Sequence, residues 1–145
     1  MNIYNPATFM KDRIELRSHI DDIIIQLLPA AARYKCGIEN NVPAGTNLIT
    51  DADAFLFILN RLLKLIIQSS YNSRIGISAI GEGDKLSIII NDDNNDYKAF
   101  ISGKMEKHKA IIKKAACRLS FEFNDKNKIT VILCFTDQHR DQLKP

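Results

Sequence analysis

Few residues of this chain have the type and spacing that chemistry requires. His19 stands three positions before Asp22 in a stretch of helical periodicity, so that carboxylate could orient the imidazole to accept a phosphoryl group. A surface histidine explains the same pattern more simply. His108 lies among lysines and reads as a solvated helix residue, and His139 falls in a polar tail without a partner signal. The acidic run Asp92-Asp93-Asn94-Asn95-Asp96 lacks the sixth-position glycine and distal glutamate of a hand-type calcium loop, so it reads as a polar turn. Lys104, Lys107, Lys109, Lys113 and Lys114 could meet an acidic protein surface or a phosphate; interleaved with Glu106, they also fit an ordinary solvated helix face. No serine has a histidine and a carboxylate in recognisable catalytic company.

Three cysteines, Cys36, Cys117 and Cys134, are widely separated and form no C-x-x-C pair, so zinc-site and thioredoxin-like spacings are absent. Cys117 follows Ala115-Ala116 and Cys134 sits in an apolar run, the settings of small buried hydrophobes. An odd number of free thiols points to a reducing cytoplasm. The formal charge of +3 is mild, and the lysines lack the interleaved aromatic residues of a nucleic-acid stripe, so no nucleic-acid partner is expected. No apolar stretch is long enough for a membrane span, and residues 1–11 lack a signal core, so no membrane partner is expected either. At 145 residues, 46% hydrophobic, the chain predicts a single domain with its core over about 12–135 and a peripheral arm (1–11) and tail (136–145).

The elements that must position these residues follow from periodicity. Ile14, Leu16, Ile20, Ile23, Ile24, Leu27 and Leu28 predict an amphipathic helix from about Asp12 to Tyr34, kinked at Pro29 and stopped at Gly37. A short strand over Gly37–Pro43 and an extended Leu48-Ile49 follow. Thr50 or Asp51 can cap a second helix whose apolar face runs from Phe55 to Ile66. Alternation predicts a hairpin, Ile75–Ile80 and Leu86–Ile90, turning at Gly81–Asp84. A third helix over roughly Met105–Arg118 precedes a second hairpin, Leu119–Phe123 and Ile129–Phe135, with its turn at Asn124–Asn127. The tail from Thr136 is expected to be loose. Helices separated by hairpins predict an α/β (α+β) two-layer sandwich, one mixed sheet covered on one face by about three helices.

This order, with the stretch from Val42-Pro43-Ala44 through Ser70, resembles the ATP-binding domain shared by sensor histidine kinases, gyrase, heat-shock-90 chaperones and mismatch-repair proteins. Pro43, Leu48-Ile49, Asp51, Phe55, Ile58-Leu59, Leu62-Leu63 and Ser69-Ser70 occupy places that histidine kinases fill with similar residues. The resemblance spans about Ile14 to Phe135. Glu15-Leu16-Arg17-Ser18 also resembles the segment after a kinase's phospho-accepting histidine. Asp51 follows too soon for a dimerisation helix to intervene, so that likeness is incidental.

The resemblance implies a nucleotide site, and most of its boxes are altered here. The family's metal-holding asparagines fall at Arg61 and Leu65. Leucine offers no oxygen to a hard cation, and Arg61 repels one, although it could meet a phosphate. A one-residue slip brings in Asn60 but places Lys64 at the second position. Asp92 matches the aspartate that reads the adenine amine. Asn94 and Asp96 stand where lid glycines belong, Asp93 and Asp96 add negative charge, and Lys104–Lys109 lacks the phosphate-gripping glycines, with Gly103 alone nearby. Asp92 and Arg61 are therefore the candidate residues of a vestigial nucleotide pocket, with no catalytic residue and no metal ligand assigned.

The expected function is a non-catalytic, cytoplasmic module of bacterial two-component signalling, not an enzyme, working without a cofactor through a signalling protein or self-association. One alternative is a divergent nucleotide-binding kinase or ATPase-type domain using ATP and magnesium, with Asp92 on adenine and Arg61 or the lysines on phosphate. Another is a phosphotransfer protein using His19.

Overall fold

The computed structural model describes residues 11–93, 98–123 and 128–138. The expected first helix is shorter than its periodicity, because Asp12–Glu15 form a strand, β1, antiparallel to β3 (Asn47–Thr50). Ile14 suits either period, so the pattern extended the helix backward across the boundary. The boundary is set by Glu15. One carboxylate oxygen accepts from the Ser18 amide at 3.0 Å and caps α1 (Leu16–Arg33), while the other accepts from the Gly45 amide at 3.2 Å.

Pro29 remains inside α1. Ile25, four residues back, is 63% exposed, so the carbonyl that loses its partner is on the solvated side. The helix ends four residues before the predicted Gly37. Lys35 takes the left-handed conformation (φ 55°), its amide bonds the Ala32 carbonyl, and the Cys36 amide bonds Ala31 at 2.8 Å. That is a Schellman closure with lysine where glycine is usual. Gly37 instead opens β2 (Gly37–Asn40).

The main sheet has five strands in the order β2-β4-β5-β7-β6, with β4 at Arg74–Glu82, β5 at Lys85–Asp92, β6 at Cys117–Phe123 and β7 at Ile129–Phe135. β2 is parallel to β4 and the other pairs are antiparallel, so the sheet is mixed as predicted. Period two sends Ile75, Ile77, Leu86, Ile88, Ile90, Val131 and Leu133 into the core. Gly83 turns the first hairpin at φ 63°, a conformation that favours glycine.

Helix α2 (Ala52–Gln68) lies against this core with Phe55, Ile58, Leu59, Leu62, Leu63 and Ile66 fully or almost fully buried. Each such side chain contributes about 1.5–3 kcal/mol relative to exposure. The single third helix expected over 105–118 is replaced by two: α3 (Lys98–Glu106) and the short α4 (Lys109–Lys114). Their junction falls at His108, whose amide bonds the Met105 carbonyl, and α4 closes through Ala116 in the left-handed region (φ 56°). The C-terminal end of α4 docks on the start of α2. Thr50 Oγ1 donates to the Ala115 carbonyl at 2.7 Å, and Lys114 Nζ lies 3.8 Å from Asp51.

The start of the tail is held. Gln138 is 6% exposed, accepts from the Ile49 amide at 2.8 Å and donates to the Ile49 carbonyl at 2.9 Å, while its own amide bonds Asp84. Its side chain satisfies β3 as a neighbouring strand would. The expected turn at 124–127 lies outside the described residues. Among the described residues, no helix is long and apolar enough to cross a membrane.

Candidate functional site around helix α2 and Asp92

Asp51 begins the site by ending the extended chain before it. Its carboxylate accepts from the Ala54 amide at 3.0 Å, so Asp51 rather than Thr50 is the N-cap of α2. The register of the helix then follows. Arg61 is half-buried about two turns from the C-terminal end. Leu65, one turn further on, is only 2% exposed and belongs to the main hydrophobic cluster, together with Ile101 and Met105 of α3.

Asp92 is the last residue of β5 and continues the helix-facing series Leu86, Ile88, Ile90. Its side chain is 0% exposed, and the Ser70 hydroxyl, just beyond α2, donates to its Oδ2. Ser70 Oγ also reaches the Ile66 carbonyl at 2.6 Å. A buried carboxylate needs such donors to remain in place. Asp93 does different work: its carboxylate accepts from the Arg74 amide at 3.0 Å and closes the strand end. Asp92 thus lies at the end of β5, and Arg61 lies on α2.

Sequence reasoning counted Ser69-Ser70 among the places that match the resemblance but gave Ser70 no role beside Asp92. Its position as the Ser or Thr that ends the family's long helix was the available signal. Asn94 and Asp96 lie outside the described residues. Gly103 is within α3, and a Cβ there would meet nothing within 4 Å, so no close approach requires glycine.

His108 is nearer to the centre of events than a solvated helix residue. Its ring packs edge-on against Phe57 of α2 (centroids 5.2 Å apart), and Nε2 is shielded without a hydrogen-bond partner among the described residues. Burial lowers its pKa from the usual 6.5, with Lys107 and Arg61 adding repulsion. Two of the neighbouring lysines are met by carboxylates of the same chain, Lys109 by Glu106 at 2.8 Å and Lys114 by Asp51. Both Lys109 and Glu106 are largely exposed, so that pair adds little stability.

His19 is half-buried on α1, with Nδ1 2.9 Å from the Glu15 carbonyl. It lines an open groove with Asp22, Gln26, Phe57 and Asn60 at the junction of α1 and α2. The three cysteines are unpaired and half-buried, and burial pushes the Cys117 thiol up to about 12, with Cys134 adding to the shift. Among the described residues, no three histidine, cysteine or acidic side chains converge as a metal site.

No family model matches the chain, and no curated protein matches its sequence. Solved structures do match it in fold. Histidine kinase AdeS of Acinetobacter baumannii aligns with 89% of this chain and 68% of its own, at TM-score 0.74 and 13% identity. The catalytic domain of histidine kinase ThkA aligns with 88% of this chain and 95% of its own, at TM-score 0.72 and 12% identity. A structure of ThkA in complex with the response regulator protein TrrA aligns with 88% of this chain and 42% of that one, at TM-score 0.68 and 11% identity. At such identities the likeness speaks for the fold alone: a mixed five-stranded sheet packed with helices, the architecture of the sensor histidine kinase catalytic domain.

Proposed function

We propose that this chain is a non-catalytic signalling module built on the histidine-kinase ATP-binding fold, acting in bacterial two-component signalling through contact with another protein. The observation that carries this reading is Leu65, an apolar side chain 2% exposed in the core, at a place where the resemblance puts a metal-holding asparagine. Magnesium takes oxygen ligands, so the donor set of Leu65 and Arg61 does not fit the ion. Burial of Ile101 and Met105 in the same cluster supports a helical layer sealed by its own side chains.

Asp92 fits the module reading as a structural residue. Its carboxylate is used by Ser70 and wholly withdrawn from solvent. The proposed partner is of the response-regulator class, by analogy with the kinase–regulator complex of the same fold, and the proposed compartment is the cytoplasm.

Calorimetric titration with ATP and magnesium tests the reading. The expected result is no saturable heat, and a micromolar dissociation constant would replace the module with the divergent-enzyme alternative.

A further inference from the structure

The two edges of the main sheet are built differently. β2 is four residues long, and Pro43 follows shortly after it. A short edge near proline is an ordinary defence against strand addition. β6 runs for seven residues, Cys117–Phe123, in unbroken antiparallel register with β7 and without glycine, proline or a bulge. Among the described residues, no strand pairs with its outer side.

The sequence of β6 is complementary to itself. Across a two-fold axis at Ser120, perpendicular to the sheet, an antiparallel copy places Arg118 opposite Glu122 and Leu119 opposite Phe121. Each of those pairs occurs twice, and Ser120 meets its own counterpart. Arg118, Ser120 and Glu122 are exposed on the open face, so the charged pairs form at a surface. Opposite charges directly across a strand pair stabilise it, and like charges destabilise it.

The helix-facing side of the same edge is apolar and incompletely covered. Leu119 and Phe121 are half-buried and form, with Met105, Ile112 and Cys117, the apolar part of an open groove of about 380 Å³ that Ser102, Glu106, Lys109 and Lys113 also line. The two sides thus offer a charge-matched row and an apolar row in one register.

We infer that β6 is a homodimerisation edge at which two copies of this chain join their sheets antiparallel about Ser120. This inference goes beyond the signalling-module reading and stands or falls independently of nucleotide binding.

The test is light scattering on size-separated full-length chain over a concentration series, with Arg118→Glu, Glu122→Arg and the double variant. The native chain is expected to reach twice the chain mass. Each single reversal sets like charges opposite each other twice and is expected to weaken the dimer about tenfold. The double variant restores opposite charges and is expected to recover most of that loss. All three changes lie on an exposed surface, and circular dichroism checks that the fold is retained. A native chain that remains monomeric throughout overturns the inference, as does a dimer unaffected by the single reversals or one that the double variant fails to rescue.

Discussion

Leu65 and Asp92 are both withdrawn from water, yet they are held by opposite physics. Leu65 is buried because it is apolar and has Ile101 and Met105 in the same cluster. Asp92 is buried although it is acidic, and the Ser70 hydroxyl donates to it. One position carries a residue other than the one the resemblance implies, while the other carries the residue it implies, hydrogen-bonded to Ser70. The difference teaches that a matched residue and a substituted one can both serve the core. Retention of Asp92 is therefore compatible with a structural role.

The sharpest way to break this comparison is Leu65→Asn, which places in α2 the asparagine that the resemblance implies. If the position is core, the change removes apolar burial and leaves an amide among Ile and Leu side chains. The expected loss is about 3–5 kcal/mol in denaturant unfolding, with no gain of magnesium-dependent ATP binding. A soluble, stable variant that binds nucleotide would show that the pocket persists.

Asp92→Ala should cost less, about 1–3 kcal/mol, because it removes a buried hydrogen bond while the Ser70 hydroxyl keeps the Ile66 carbonyl as an acceptor. A cycle with Ser70→Ala separates the pair from its surroundings. Strong coupling supports the structural role, whereas additive losses within experimental error place the stabilisation elsewhere.

The smallest effect concerns His108. Its folded pKa lies below the unfolded value of 6.5, so the unfolded chain takes the proton more readily. Its contribution is complete well above pH 6.5, declines as pH falls through that value, and levels off below the folded pKa. Melting temperature should therefore drop modestly between pH 7.5 and 5, and His108→Gln should flatten part of that slope. An unchanged profile in the variant would assign the pH dependence to other groups.

Much of the fold was legible because periodicity and capping are local. Apolar spacing marked α2 and both hairpins, and Asp51 was among the two expected caps. The boundaries that failed depended on contacts elsewhere. Ile14 could not reveal that Leu48 of β3 lay opposite it, and an unbroken run from Met105 to Arg118 concealed a helix junction at His108. Gln138 read as tail because nothing local indicates that its amide reaches Ile49, 89 positions away. For the candidate site, the substitutions at Arg61 and Leu65 were visible as residue types. Their exposure was not, and neither was the bond from Ser70 to Asp92.

The layering of helices on one mixed sheet follows from hydrophobic period and turn chemistry, which act over a few residues. Side-chain identity alone also shows that Arg61 and Leu65 offer no oxygen donor in α2. Only the tertiary structure decided that Leu65 is sealed into the core, that Asp92 is used by Ser70, and that β6 forms a sheet edge. Those outcomes arise from packing between segments distant in sequence, where burial changes the cost of a polar group and strand order selects which edge lacks a neighbour.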